Sequence, residues 1–75
     1  MDNSKLVRMA NQIGAFFAAM PDRAEALQGI AQHIHRFWEP RMRRDLFAHI
    51  DATNGDGLDE IVTVALREHR EELAA

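Results

Sequence analysis

Residues 22–40, DRAEALQGIAQHIHRFWEP, form the stretch that decides the fold. Apolar residues recur in it at intervals of three and four, which places them on one side of a helix. Asp22 is a suitable N-cap, with Glu25 three positions later completing a box-like pattern, and Pro40 forces the chain to turn. The stretch therefore predicts an amphipathic helix near residues 22–38. Its apolar face consists of Leu27, Ile30, Ala31, Ile34 and Trp38.

The segment before this helix has the same spacing of apolar residues. A first helix is predicted near residues 4–20, where Asn3 or Ser4 can cap its start. The sequence Met20-Pro21-Asp22 ends it, because the residue before a proline is pushed away from the α region. The apolar side of this helix consists of Leu6, Met9, Ala10, Ile13, Phe16, Phe17 and Met20.

Two further helices are predicted after Pro40, which suits the first position of a helix. The third is expected near residues 40–51 and the fourth near residues 58–72, on either side of a turn-rich loop at residues 51–57, DATNGDG. Their apolar stripes are Met42, Leu46, Phe47 and Ile50, and then Leu58, Ile61, Val62, Ala65, Leu66 and Leu73. There is no sustained period-two run typical of strands. Residues 1–75 are thus predicted to form one all-α domain, a small four-helix bundle with broadly antiparallel neighbours.

The composition narrows the classes of function. A domain of 75 residues buries only about 60% of the surface of its unfolded chain, so its stability is expected to be marginal. The chain has no cysteine, which excludes disulfides and thiolate zinc sites. The net charge of −3 argues against general affinity for nucleic acid. Neither a secretory signal nor an apolar run of about 20 residues is visible, so a cytoplasmic location without a membrane partner is expected.

The loop at residues 51–57 has only part of the pattern of a calcium site. If Gly57 is the required glycine at loop position six, Ala52 and Thr63 fall where an aspartate and a bidentate glutamate are needed. A shift by one residue uses Asp51 but places Asp56 where glycine is required. The loop is therefore predicted to be a connecting turn, in which Asn-Gly and Asp-Gly provide positive φ.

The four histidines do not form a metal or catalytic set. His33 and His35 point to opposite sides of a helix, while His49 and His69 lie along apolar stripes. No glycine-rich phosphate loop follows a strand, and no Ser-His-Asp or Cys-His set can be assembled. The sequence predicts no catalytic residue and no metal or cofactor site, and we expect no tight binding of calcium, zinc or NAD.

The most informative stretch is residues 33–44, HIHRFWEPRMRR. Arg41, Arg43 and Arg44 occupy the first turn of the predicted third helix, where the positive end of the helix dipole disfavours cations. A sequence that breaks such a local preference without visible compensation is a candidate functional site. Trp and Arg are also enriched among the residues that contribute most to binding at interfaces. The predicted partner-binding residues are Arg36, Phe37, Trp38, Pro40, Arg41, Met42, Arg43 and Arg44.

A structural interpretation of the same stretch stays open. In it, Phe37 and Trp38 complete the core, and the arginines form a solvated face paired with nearby acids. Trp38 aligns with the apolar stripe and Phe37 with its margin, so both can contribute to folding. Arg41 and Arg44 are predicted to point away from the apolar side of the third helix, which leaves them free to reach a partner.

Further features extend over most of the chain. They are LVRMANQI at residues 6–13, Phe16-Phe17, Pro21-Asp22, His33, FWEPRMR at residues 37–43, and Gly57-Leu58 before a helix with Val62 and Ala65-Leu66. An aromatic pair, an acid–proline corner and two arginines flanking a methionine rarely coincide. In these features the sequence resembles the delta subunit of NAD-dependent formate dehydrogenase, a molybdenum enzyme of the bacterial cytoplasm.

The resemblance implies an accessory role. In that enzyme the large alpha subunit carries the molybdenum cofactor and iron–sulfur clusters, and beta and gamma subunits pass electrons to flavin and NAD. The delta subunit has no redox group, and the resemblance implies that it supports assembly, cofactor insertion or stability by docking on the alpha subunit. Self-association of the isolated chain is a further expectation. The alternative is a free-standing helical adaptor or regulator whose arginine corner binds an anionic ligand or nucleic acid.

Overall fold

Five helices make up the structure, a computed structural model that describes residues 2–74. They are α1 (Asn3–Ala18), α2 (Arg23–Phe37), α3 (Pro40–Thr53), α4 (Glu60–Glu68) and α5 (Arg70–Ala74). No strand occurs in these residues, and the predicted all-α fold is confirmed. Within the same range, no helix combines the length and the apolar character needed to cross a membrane.

The first three helices lie close to their predicted positions, and their termini follow local capping. Asp22 caps α2 as predicted, since its side chain accepts a hydrogen bond from the Glu25 N–H. The predicted cap of α1 was wrong, because Asp2 precedes Asn3 and accepts from the Ser4 N–H at 3.0 Å. Helix α3 begins at Pro40 and continues to Thr53, two residues beyond its expected end.

The predicted fourth helix is two helices in the structure. Residues 58 and 59 precede α4, and the helix breaks at His69, whose φ of −109° and ψ of 20° are not helical. The short α5 then contacts α2 and α3 as well as α4. This change of direction places Leu73 in the core, where it is 2% exposed. The apolar stripe was therefore predicted correctly, whereas the break that lets Leu73 reach its neighbours was not.

The core surrounds the apolar face of α2, which contacts α1, α4 and α5. All five residues predicted for that face are buried. The buried hydrophobic residues that the other helices contribute are Leu6, Ala10, Leu46, Phe47, Ile50, Val62, Ala65, Leu66 and Leu73. Gly14 allows α1 and α4 to pack closely, because a Cβ at this position would collide with Cγ2 of Val62.

The loop between α3 and α4 is the expected connecting turn. Asn54, Gly55 and Gly57 have φ angles of 60°, 82° and 85°, which confirms the prediction of positive φ. The His49 ring lies beside this loop, with Nε2 2.6 Å from the carbonyl oxygen of Asp56. Within residues 2–74, no group of three or more histidine or acidic side chains is arranged to hold a metal ion.

Asn11 connects α1 to the residues just before α4. Its Nδ2 donates to the Gly57 carbonyl oxygen at 3.0 Å, and its Oδ1 accepts from the Asp59 N–H at 2.9 Å. Asp59 is the N-cap of α4, and its own side chain makes no capping hydrogen bond. Asn11 thus holds the start of α4 against α1.

Replacement of Asn11 by alanine removes both hydrogen bonds. Since each is worth about 1 kcal/mol net, the free energy of unfolding should fall by about 1–2 kcal/mol. Urea denaturation followed by circular dichroism measures this change. Gln28→Ala, at an exposed position of α2, is the control and should change stability by less than about 0.5 kcal/mol. Equal stability of the two variants would show that the Asn11 contacts do not hold α4.

Arg70 connects α5 to α3. Its Nη1 and Nη2 donate to the two carboxylate oxygens of Asp51, each at 2.7 Å, and the guanidinium lies 4.8 Å from the centroid of the Phe47 ring. The hydrogen bond from Arg70 holds the pKa of Asp51 below its usual value, and the same bond raises the pKa of Arg70. The folded state therefore favours the ionised form of Asp51.

The lowered pKa of Asp51 predicts a pH-dependent contribution to stability. The contribution is present above the unfolded pKa of about 3.9 and is lost as the pH falls through the lower folded pKa. Asp51→Asn should therefore lower the melting temperature at neutral pH, and its difference from the wild type should shrink below about pH 4. In an Arg70→Gln background the substitution should have little effect at any pH. A difference that is independent of pH would contradict the prediction.

Candidate functional site

The corner between α2 and α3 is two residues long. Trp38 and Glu39 are extended, with ψ angles of 138° and 152°, and Pro40 opens α3. Trp38 is 6% exposed, which confirms that it completes the core. Phe37 is 66% exposed, so the interpretation in which it also belongs to the core is wrong. The corner thus contains one buried aromatic side chain, Trp38, and the residues directly before and after it are exposed.

Arg43 is buried, and its position explains one of the unusual arginines. Its side chain is 7% exposed, and its Nη1 donates to the carbonyl oxygen of His35 at 3.3 Å. This carbonyl belongs to the last turn of α2, where backbone carbonyls lack helical partners and the dipole favours a cation. The prediction that the arginines lack compensation within the chain is therefore wrong for Arg43, whose cation lies at the carboxyl end of the neighbouring helix.

The other three arginines of the corner, Arg36, Arg41 and Arg44, are exposed, as expected for Arg41 and Arg44. The guanidinium carbon of Arg36 lies 5.8 Å from the centroid of the Phe37 ring. Pro40 is exposed and Met42 is half-buried. The predicted partner-binding residues are thus brought together, but Trp38 and Arg43 make their contacts inside the fold. Whether any of the eight binds a partner stays a prediction.

An open apolar groove lies beside this corner, between α1 and the end of α2. Its volume is about 710 Å³. Three of its lining residues, Phe37, Trp38 and Met42, belong to the predicted site. The other six lining residues were not predicted as site residues. The residues that line the groove are Met9, Gln12, Ile13, Phe16, Phe17, His33, Phe37, Trp38 and Met42.

Phe16 is the main correction in this groove. It was predicted on the core side of α1, but its side chain is 74% exposed. Successive residues of a helix are about 100° apart, and here Phe17 packs on α2 at Gly29 while Phe16 stays exposed in the groove. Adjacent apolar residues can both be buried, as Leu46 and Phe47 are, so no signal in the sequence indicated which ring of the pair would be exposed.

A row of aromatic rings extends across the groove from α1 to α2. The Phe16 and Phe17 centroids are 5.1 Å apart, Phe17 and His33 6.4 Å, and His33 and Phe37 4.8 Å. Gly29 allows Phe17 to lie on α2, because a Cβ there would come within 2.6 Å of the Phe17 ring. These rings form a wall supported by both helices.

The chemistry of the groove suits binding of apolar side chains. Aromatic and methionine surface dominates, and polar side chains come only from Gln12 and His33 among its lining residues. Aromatic rings provide rigid contact area, while Met9 and Met42 adapt to irregular shapes. The arginine of the corner nearest to this wall, Arg36, adds a positive charge beside Phe37.

These features define a small all-helical domain with an exposed apolar groove and a basic corner. The chain belongs to the family of the NADH-dependent formate dehydrogenase delta subunit, FdsD, whose model matches residues 5–66. The matched region includes α1 from its third residue onward, the whole of α2 and the whole corner. Comparison with curated proteins gave no match, and comparison with solved structures gave none either.

Replacement of Arg43 by alanine tests its role within the fold. The substitution removes the donor to the His35 carbonyl, and a hydrogen bond from a charged group contributes about 1.5–3 kcal/mol. We expect the free energy of unfolding to fall by about 1–3 kcal/mol. Arg44→Ala, at an exposed position of the same helix, should change it by less than about 0.5 kcal/mol. Urea denaturation of the isolated chain measures both, and equal effects would contradict the role assigned to Arg43.

Proposed function

We propose that this chain is a non-catalytic small subunit of a cytoplasmic NAD-dependent formate dehydrogenase. In this proposal it supports assembly, cofactor insertion or stability of the complex by docking on the large subunit that carries molybdenum. The observation that carries the proposal is the family match over residues 5–66. The family is that of a formate dehydrogenase subunit, so membership implies an association with the formate dehydrogenase complex.

The surface chemistry of the corner supports a docking role. Arg36, Arg41 and Arg44 are exposed within nine positions of a chain whose net charge is −3. An exposed aromatic ring, Phe37, lies beside Arg36. Arginine and aromatic side chains are over-represented among residues that dominate binding energy at protein interfaces. Pairing of these arginines with carboxylates or backbone carbonyls of the large subunit would provide both orientation and affinity.

Residues that hold the fold cannot be used to test docking. Trp38→Ala should cost about 3–5 kcal/mol, which is enough to unfold a small domain. Loss of docking in that variant would carry no information about the interface. Arg41 and Arg44 are suitable instead, because both are exposed. The buried Leu46, two positions after Arg44, lies on another side of α3.

Simultaneous replacement of Arg41 and Arg44 by alanine should weaken docking without unfolding the chain. Each truncation should cost about 2 kcal/mol or more of binding free energy if the arginines pair with partly buried acceptors. Helicity and melting temperature should stay nearly unchanged, or rise slightly because cations are removed from the amino end of α3. The measurement is co-purification with the formate dehydrogenase subunits, alongside thermal melts of the isolated variant.

The matched control is Arg23→Ala with Arg67→Ala, which removes the same charge. Arg23 opens α2 at the end away from the corner and forms an ion pair with Glu60, and Arg67 lies in α4 and donates to Asn54. Because both contacts are lost, thermal melts must first show that this control is folded, and the folded control should co-purify at wild-type yield. If the variant lacking Arg41 and Arg44 is folded and also co-purifies at wild-type yield in moderate salt, the corner does not dock. Failure of the wild-type chain to co-purify would instead favour the free-standing adaptor that binds an anionic ligand.

A further inference from the structure

We propose that the apolar groove holds an amphipathic helix of the partner subunit, with carboxylates on that helix facing Arg36. The inference rests on the proposed function and deepens it by naming the structure and charge of the segment that binds. It adds α1 to a docking surface that the sequence confined to residues 36–44.

The exposed aromatic rings require an explanation within a chain this small. Phe16 and Phe37 are the exposed large hydrophobic residues of the described chain, at 74% and 66%, and both line the groove. Removing such rings from water is favourable by roughly 25 cal/mol per Å² of apolar surface. Their concentration in one groove, with Met9, Ile13 and Met42 between them, marks a surface that gains free energy when it is covered.

Charge determines which occupant fits. The nine lining residues include no carboxylate, and the Arg36 guanidinium lies against the Phe37 ring at the border of the groove. Arg41 and Arg44 are exposed on the helix that contributes Met42. A segment with large apolar side chains and flanking Asp or Glu is complementary to this arrangement.

Shape favours a helix as the occupant. The groove runs along α1, and its lining residues on that helix extend from Met9 to Phe17, a length of about 12 Å at 1.5 Å per residue. That length corresponds to roughly two helical turns, which present two or three anchors at positions i, i+3 or i+4, and i+7. The described residues contain no sheet edge to which an extended segment could add a strand.

A second copy of the chain fits the groove poorly. Two copies related by a two-fold axis through their grooves would set together two surfaces whose lining includes no carboxylate, so neither copy would supply an acid from its groove to Arg36 of the other. A head-to-tail arrangement could instead bring an acidic surface such as Glu68, Glu71 and Glu72 to the groove. Such an arrangement has to close into a ring, because otherwise it leaves a free groove at one end and adds further copies. An acidic helix from a different subunit avoids both problems.

The first experiment co-expresses the full chain with the large formate dehydrogenase subunit and measures affinity after purification. Phe16→Ser with Phe37→Ser should weaken the complex at least tenfold, while the isolated variant stays folded and melts only a few degrees lower because the ring contacts with Phe17 and His33 are lost. Phe16→Tyr with Phe37→Tyr keeps both rings and should bind within about threefold of the wild type. If the serine variant is folded and binds as the wild type does, the groove is not the docking site.

The second experiment identifies the occupant. A photo-reactive benzoylphenylalanine replaces Phe37 in the assembled complex, and mass spectrometry identifies the cross-linked segment. The expected result is a segment of the large subunit with apolar residues at helical spacing and flanking carboxylates. A cross-link to a second copy of this chain, or to a segment without this pattern, overturns the inference and leaves the proposed function intact. Failure of the wild-type chain to associate with the large subunit overturns both.

Discussion

The structure depends on burial of one face of α2. Five residues of this face are covered by α1, α4 and α5, so the helices that are distant in sequence meet on a single surface. A 75-residue domain has few other sources of stability, and removing any large side chain from this face leaves a cavity that the small core cannot fill. The remaining contacts, including the Asn11 hydrogen bonds and the Asp51–Arg70 pair, fix the positions of α3, α4 and α5 around it.

The end of α2 shows how one short stretch supports both the fold and a surface. Trp38 completes the buried face, and Arg43 returns from α3 to donate to the last turn of α2. Between and around them, Phe37 and Arg36 remain in contact with solvent. The Trp38 and Arg43 side chains are held inside the fold, and exposed side chains presented from such a preorganised corner would lose little conformational entropy on binding. The same residues therefore position the surface to which we assign docking.

The candidate site combines two kinds of attraction that act differently. The aromatic groove supplies apolar area whose burial contributes to affinity, while the exposed arginines supply long-range attraction and orientation. Salt should weaken the second more than the first, because exposed charges are screened and buried apolar surface is not. The chain belongs to the formate dehydrogenase delta subunit family, and because groove and corner are adjacent we propose that they form one continuous docking surface.

The sequence by itself determined the all-α class, the first three helices, most of the core and the family. Helical periodicity is a local property, so the positions of Leu27, Ile30 and Ile34 on one face could be predicted without knowing what covers them, and Pro21 and Pro40 marked the corners. The tertiary structure decided three further points. It broke the last helix at His69 so that Leu73 reached the core, it left Phe16 exposed while Phe17 packed on Gly29, and it brought Arg43 to the end of α2. Each of these depends on which helix lies alongside, because exposure and hydrogen bonding between helices are set by packing that no local pattern of residues specifies.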